Sequence, residues 1–312
     1  MTQSELQVII VGGSIGGLTL AHCLRRAGIN HIVLEKSSSP APQIGASIGI
    51  LPNGARVLDQ LQLYDEVEDH IEPLSTAIIG YPDGFSFSSS YPRIIHKRFG
   101  FPIAFLDRQK LLEILYRGYP DHSKIRLGEK VTAIETSSKG ATVTTANGTI
   151  YRGHLVVGSD GVHSKVRQEI WRDIEKFSLS PKITKEKSKN SLWGLNNMIY
   201  TGLTVEFRCI FGISSAIKGL KVELNALFDG LTIVTIQGKN SRLYWFVIQK
   251  LDKKYTYPAC PRYSNHDTSV AAEELRNIQF YHNLTFGQLW DSRETASMTA
   301  LEENTFETWY HG

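Results

Sequence analysis

Three groups of residues have types and spacings that could do chemistry. The first is Gly12-Gly13-Ser14-Ile15-Gly16-Gly17, with Glu35 standing 23 residues beyond Gly12. A glycine turn that opens a helix presents unpaired backbone N–H groups and a partial positive charge, which suits a pyrophosphate. A carboxylate at this distance can accept hydrogen bonds from a ribose hydroxyl, while its charge repels a 2′-phosphate. The pair therefore favours FAD or NAD over NADP. One position departs from G-x-G-x-x-G. Ser14 stands where a glycine would let the backbone approach the phosphates, and its hydroxyl can itself donate to a phosphate oxygen.

The second group is Asp107-Arg108-Gln109, ahead of a stretch carrying Leu111, Leu112 and Leu115 at helical spacing. Asp107 has a plain explanation as an N-cap. Arg108 opposes the macrodipole in a first turn, so contact with a ligand phosphate or ring stays open. The third group is Gly158-Ser159-Asp160-Gly161, running into Val162-His163-Ser164-Lys165. Asp160 either caps the helix that follows or serves a ligand, and His163 and Lys165 read as solvated helix residues.

Elements must position these groups. Val8-Ile9-Ile10-Val11 is a buried strand, and Leu20, Ala21, Leu24 and Ala27 recur at helical spacing up to the stop at Gly28. A second strand over residues 31–34 ends at Glu35. A glycine run alone can be no more than a tight turn; strand, turn, helix, strand and acid together make a dinucleotide-binding unit. Gly12 permits the turn and Gly17 lets the helix lie close to the sheet. Residues 44–54 are dense in small side chains, which admit close approach by a flat ligand or by passing chain.

Further along, a helix is expected after Pro52-Asn53 and strands on either side of the turn Tyr81-Pro82-Asp83-Gly84. Another strand is expected over 101–105. Residues 131–136, 141–145 and 149–152 read as a meander turning at Asn147-Gly148, and 155–157 as a separate buried strand. The alternation Val205, Phe207, Cys209, Phe211 predicts a strand with Glu206 and Arg208 on its opposite face, where a solvated Glu–Arg pair is one reading. A hairpin is expected from 231–236 and 243–248, and a helix over 268–278. Tyr244, Trp245 and Phe246 floor a pocket or form ordinary core.

Composition excludes several classes. The chain has 312 residues, 41% hydrophobic and 21% charged, which fits a globular protein of about two domains. A net charge of +3 without a compact basic patch argues against nucleic acid. Cys23, Cys209 and Cys260 are scattered, as reduced thiols are, and offer neither a disulfide frame nor a metal site. The apolar run at the N-terminus is too short for a secretory signal, and no window approaches the roughly 18 apolar residues of a membrane span. The expected location is cytoplasmic.

The segments 12–35, 107–115 and 158–167 together resemble the group A flavoprotein monooxygenases, the aromatic-hydroxylase superfamily. Gly45-Ala-Ser-Ile-Gly49, Gly158-Ser-Asp-Gly-Val-His-Ser164, Phe207-Arg-Cys-Ile-Phe-Gly-Ile-Ser214 and Thr285-Phe-Gly-Gln-Leu-Trp290 narrow the resemblance. They are similar to the fungal secondary-metabolism branch, which includes epoxidases of indole-diterpene and meroterpenoid pathways. The resemblance implies an α/β fold: a glutathione-reductase-type FAD-binding Rossmann domain interleaved with a mostly β substrate domain. It places the FAD-binding domain at 1–75 and 106–180, the substrate domain at 76–105 and 203–312, and a loop or insertion at 181–202.

It further implies FAD as bound cofactor, NADPH as transient reductant, and O2 with a small apolar substrate that is epoxidised or hydroxylated. Cofactor contacts then fall on Gly12, Ser14, Gly17, Glu35, Gly49, Arg108 and Asp160, and a catalytic role on Arg208. The absence of a second G-x-G-x-x-G fits a reductant bound in passing. Two departures stand out. Residues 188–203 read as extra chain after a lysine-rich loop at 182–189, and the chain stops at Gly312, before the family's Gly-Asp segment. These predict a C-terminally truncated enzyme, with a non-catalytic flavoprotein remnant as the alternative. An NAD-dependent dehydrogenase would share the first unit without needing Asp107-Arg108 or Asp160-Gly161.

Overall fold

The computed structural model describes residues 6–43, 47–178, 202–217, 220, 223–306 and 308–312. The first elements are β1 (Leu6–Val11), α1 (Ile15–Arg26), β2 (His31–Glu35), β3 (Ser47–Ile50), α2 (Pro52–Gln60) and α3 (Tyr64–Glu68). Then come β4 (Ala77–Gly80), β5 (Ser86–Ser89), α4 (Tyr91–Phe99), β6 (Ala104–Asp107) and α5 (Arg108–Arg117). They are followed by β7 (Ile125–Leu127), β8 (Val131–Ser137), β9 (Gly140–Thr145), β10 (Ile150–Gly158) and α6 (Lys165–Ser178). After these stand β11 (Thr204–Ser214), β12 (Glu223–Phe228), β13 (Leu231–Gln237) and β14 (Leu243–Thr256). The last are α7 (Asn265–Leu275), β15 (Gln279–Tyr281), β16 (Leu284–Thr285), α8 (Phe286–Asp291) and β17 (Arg293–Glu303). Among the described residues no helix is long and apolar enough to cross a membrane.

By its packing the chain divides into two units. The first comprises the described residues of Met1–Pro42, Leu112–Gly202 and Asn304–Gly312. Its sheet has the order β7-β2-β1-β10-β9-β8. β7, β2, β1 and β10 run parallel; β1 and β2 are buried on both faces over Val8–Val11 and His31–Leu34, whereas in β10 the expected buried stretch at 155–157 leaves Leu155 55% exposed and Val156 and Val157 half-buried. Ile9, Ile10 and Val33 are fully buried, each worth about 1.5–3 kcal/mol relative to exposure. One side of the sheet is filled by Ile9, Val11, Ile32, Leu34, Val143 and Val166.

β10 is one continuous strand. Its first residues pair antiparallel with β9, and from Gly153 onward it pairs parallel with β1. The meander strand and the buried strand expected separately are therefore a single element. Its change of partner falls at Gly153, where a Cβ would press on Ile9 at 3.1 Å.

The second unit comprises the described residues of Gln43–Leu111 and Leu203–Glu303. Its main sheet has the order β17-β11-β14-β13-β12-β4-β5, antiparallel except where β12 meets β4. One face carries Ile210, Trp245 and Val247 against Ala271, Ala272 and Leu275 of α7 and Phe286 and Trp290 of α8. The other face carries Ile213, Ile236 and Tyr244 with Leu74 and Ile103. Trp245 is thus core, closed edge-on by Phe286 and Trp290.

Several expectations shift. Residues 43–75 belong to the second unit, because β3 pairs with β6 rather than with the parallel sheet. Asn304–Gly312 belongs to the first, where Phe306 and Trp171 flank the Arg167 guanidinium at 4.3 and 5.3 Å. The strand expected at 101–105 is β6, Ala104–Asp107, and the helix expected at 268–278 is Asn265–Leu275. Ser264 sets that start through a capping box with Asp267. Helix α4 is not among the expected elements, although Pro92 in its first turn and left-handed Gly100 at its end are ordinary bounds. Ile44, Gly45 and Ala46, the loop at 182–189 and residues 188–201 of the extra stretch lie outside the described residues.

Candidate functional site

In the first unit, β1 and β10 lie side by side with Val11 opposite Gly158. The Gly12 turn and the Gly158-Ser159-Asp160 segment therefore leave the sheet together, at the carboxyl ends of parallel strands where open α/β sheets bind ligands. Ser159 N donates to Val11 O at 2.7 Å and ties the two together. Gly12 has φ +104°, and a Cβ on it would lie 2.3 Å from Ser159 O. On Gly17 a Cβ would lie 1.9 Å from Gly12 O. Backbone this close admits glycine alone at these two positions, where the turn leaves β1 and where α1 passes over it. Ser14 is the N-cap of α1 in extended conformation, without a side-chain capping bond.

Glu35 ends β2 beside this cradle. Its Oε2 accepts from Gly13 N at 2.6 Å and its Oε1 from Ser37 N at 2.7 Å. The glycine turn opening α1, with a carboxylate at its rim, fits the adenosine half of a dinucleotide. Asp160 has a different employment. Its Oδ1 accepts from Ser164 Oγ at 2.6 Å, and its Oδ2 accepts from the N–H groups of Lys165 and Val166 at 2.6 and 3.2 Å. Of its two readings, capping of α6 accounts for all of these bonds. Lys165 is less solvated than expected, since it pairs at 2.6 Å with the buried carboxylate of Glu169. His163 is exposed.

Sequence reasoning missed a buried polar cluster in the same unit. Tyr119 Oη lies 2.7 Å from His31 Nε2, His31 Nδ1 2.8 Å from Ile29 O, and His22 Nε2 2.8 Å from Leu115 O. Neither imidazole faces a carboxylate in these bonds. Burial, chiefly, holds both below the ordinary imidazole range, so they stay neutral. With Nδ1 donating to Ile29 O, His31 Nε2 accepts from the phenol.

In the second unit, Gly49 in β3 faces Phe105 in β6, and a Cβ on Gly49 would touch that ring at 3.1 Å. Two residues on, Asp107 ends β6 and Arg108 begins α5. Asp107 has partners beyond a cap, one in β14 and one just before it. Tyr244 Oη donates to Asp107 Oδ1 at 2.7 Å, and Arg242 Nη1 lies 3.2 Å from Oδ2. Arg242 also binds Glu294. Burial first, then Asp107, pushes the Tyr244 phenol far above its usual range, so it remains a donor. These groups border a polar cleft of about 540 Å³ that Lys110, Lys239 and Asp69 also line.

Arg208 lies elsewhere. Its Nε and Nη2 donate to Gln249 Oε1 at 2.9 and 2.7 Å, and Nη2 is 3.8 Å from Glu274 on α7. A bulge between Val205 and Phe207 precedes it, and it shares a face with Ile210, beneath α7. Tyr244 and Asp107 lie against the opposite face of the sheet. The solvated Glu206–Arg208 pair does not form, because Glu206 takes Lys254 at 2.7 Å instead. Cys209 alternates with Arg208, and burial pushes its thiol up to about 12, which makes it inert.

The FAD binding domain family matches residues 5–185. The FAD-dependent monooxygenase janM of Penicillium janthinellum is 74% identical over 314 residues, covering 100% of this chain and 62% of that protein. For paxM of Penicillium paxilli the identity is 69%, with 100% and 63% covered. For ptmM of Penicillium ochrochloron it is 63%, with 100% and 71% covered. Two solved structures share the fold. Klebsiella pneumoniae HpxO complexed with FAD and uric acid gives a TM-score of 0.67 at 19% identity, covering 96% of this chain and 69% of that one. The 2,6-dihydroxypyridine-3-hydroxylase of Arthrobacter nicotinovorans gives 0.68 at 17%, covering 100% and 76%.

The chain therefore belongs to the FAD-binding-domain flavoproteins, among the fungal FAD-dependent monooxygenases. Its resemblance to that branch and its α/β flavoprotein fold, both read from motifs, are shown by these matches. It spans 62% and 63% of the length of the first two relatives.

Proposed function

We propose that this chain carries the FAD-binding and substrate-domain portion of a monooxygenase acting in secondary-metabolite biosynthesis. Its substrate is a small apolar terpenoid or aromatic intermediate, its reductant NADPH and its oxidant O2, and its location cytosolic. The observation that carries the reading is the glycine cradle with Glu35 at its rim, within a sequence 63% identical to ptmM across 71% of that relative. Bound FAD, once reduced by NADPH, supplies the activation of O2, so that one oxygen atom enters an alkene or aromatic carbon and the other leaves as water.

The residues of this chain divide the remaining work. The start of α1, with Gly12, Ser14 and Gly17, receives the pyrophosphate, and Glu35 receives the ribose. Gly49, Arg108 and Asp160 enter as further FAD contacts on the strength of the family resemblance. Arg208 enters the same way as the catalytic candidate, although its bonds to Gln249 and its place beneath α7 also suit a structural tie.

Purified protein should carry, or take up, a flavin with an oxidised-flavin absorption spectrum. It should then consume O2 with NADPH when given an alkene-bearing terpenoid probe. Tight retention of NAD with no flavin uptake would overturn the reading.

A further inference from the structure

We infer that Tyr244 and Arg242 are positioning residues for Arg108, holding the start of α5 through the Asp107 carboxylate. The inference rests on the proposed FAD contact of Arg108 and adds two residues that no motif points to. Asp107 is the last residue of β6 and Arg108 the first of α5, so where Asp107 stands fixes where the arginine starts. Among the described residues β6 pairs with one strand, β3, through four residues from Ser47 to Ile50. Such a two-stranded ribbon is weakly determined by itself. Ala104 and Leu106 of β6 and Leu111 of α5 are buried, and the Asp107 carboxylate adds a directional hold at the junction, each of its oxygens engaged from the neighbourhood of β14.

The two partners differ in kind. Tyr244 is 3% exposed, its ring set among Leu74, Ile103, Ile213 and Ile236, so its hydroxyl has a fixed position before Asp107 meets it. A buried phenol without an acceptor is costly, so its bond to Asp107 satisfies both groups. Arg242, half-exposed and just before β14, bridges Asp107 to Glu294 on β17. The turn before it is anchored by Lys239, which donates to Asp69 O. The main sheet thus reaches the Gly49–Arg108 ribbon through a rigid aromatic donor and a two-sided ion pair. Strand alternation sends Tyr244 toward Asp107 while Trp245 beside it stays in the helix-covered core.

The test is a double-mutant cycle on FAD affinity, read by quenching of flavin fluorescence in the purified full chain, with urea stability measured alongside. Tyr244→Phe keeps the ring and removes the hydroxyl, and should weaken FAD binding about three- to tenfold, a fraction of the full worth of a bond to a charged acceptor because the bond reaches FAD only through Arg108. In an Arg108→Ala background the same change should leave affinity within about twofold, because the residue it acts through is gone. Equal weakening in both backgrounds would show that Tyr244 supports the fold generally, and would overturn the proposal. So would unchanged affinity in Tyr244→Phe while Arg108→Ala binds poorly. An Arg108→Ala chain that binds FAD like the parent would instead refute the cofactor contact itself. Should Tyr244→Phe fail to fold, Arg242→Gln releases the other carboxylate oxygen and runs through the same cycle with the same outcomes.

Discussion

Glu35 offers the sharpest test of the nucleotide cradle, because its two oxygens have separate and visible tasks. Oε2 accepts from Gly13 N at 2.6 Å and Oε1 from Ser37 N at 2.7 Å, so one carboxylate holds both the glycine turn and the chain leaving β2. A hydrogen bond to a charged acceptor contributes about 1.5–3 kcal/mol when well shielded, and less here because Glu35 is partly exposed and water can replace it. Glu35→Ala should therefore lower stability by about 1–2 kcal/mol. Its effect on FAD should be larger, since the ribose contact and the shape of the turn are lost together. A loss of about 1.4–2.8 kcal/mol corresponds to roughly ten- to hundredfold weaker binding.

Glu35→Gln gives the more diagnostic result. Its amide offers one oxygen for two N–H groups and points its own NH2 at the second, so it should bind FAD no better than alanine does. Glu35→Asp is shorter by one methylene and cannot reach Gly13 and Ser37 at once. The assay is titration of each variant with FAD, followed by flavin fluorescence, with urea unfolding of the same preparations. Binding within about twofold of the parent in all three variants would refute the argument that this carboxylate organises the site.

Two further outcomes are expected. Arg208→Ala should cost stability, by about 1–2 kcal/mol for two donors lost to Gln249, and leave FAD uptake intact; steady-state kinetics beside urea unfolding decides between roles. A more than tenfold fall in kcat at unchanged stability would instead establish the catalytic role that the resemblance implies. Acid should loosen the first unit through His22 and His31, whose folded values are lowered mainly by burial. The unfolded chain binds protons below about pH 6.5 while the folded chain resists them, so this contribution is full above that value and is lost as pH falls toward the folded values. Urea midpoints measured from pH 7.5 to 5.5 should decline in the parent and flatten in His22→Gln/His31→Gln; an equal slope in both would disprove the assignment.

The nucleotide unit was legible because its signals are local. Strand, glycine turn, helix and acid lie within residues 8–35, and each follows from a few neighbouring residues: an apolar run, a missing Cβ, a 3.6-residue period. The fold class and the family followed from the same motifs. What tertiary structure decided were relations across long sequence separations, which periodicity does not encode. It joined residues 150–158 into one strand by giving each half a different partner, and so brought Gly158 beside Val11. It drew 43–75 to the second unit through the pairing of β3 with β6.

It also decided which bonds form for side chains that have more than one plausible partner. Asp160 accepts from Ser164 and from the N–H groups that open α6, Asp107 is claimed by Tyr244 across 137 positions, and Arg208 turns from Glu206 to Gln249. A carboxylate or guanidinium can bond with many groups, and the sequence alone does not rank them. The packing of the sheets decides which group is within 3 Å when water is excluded.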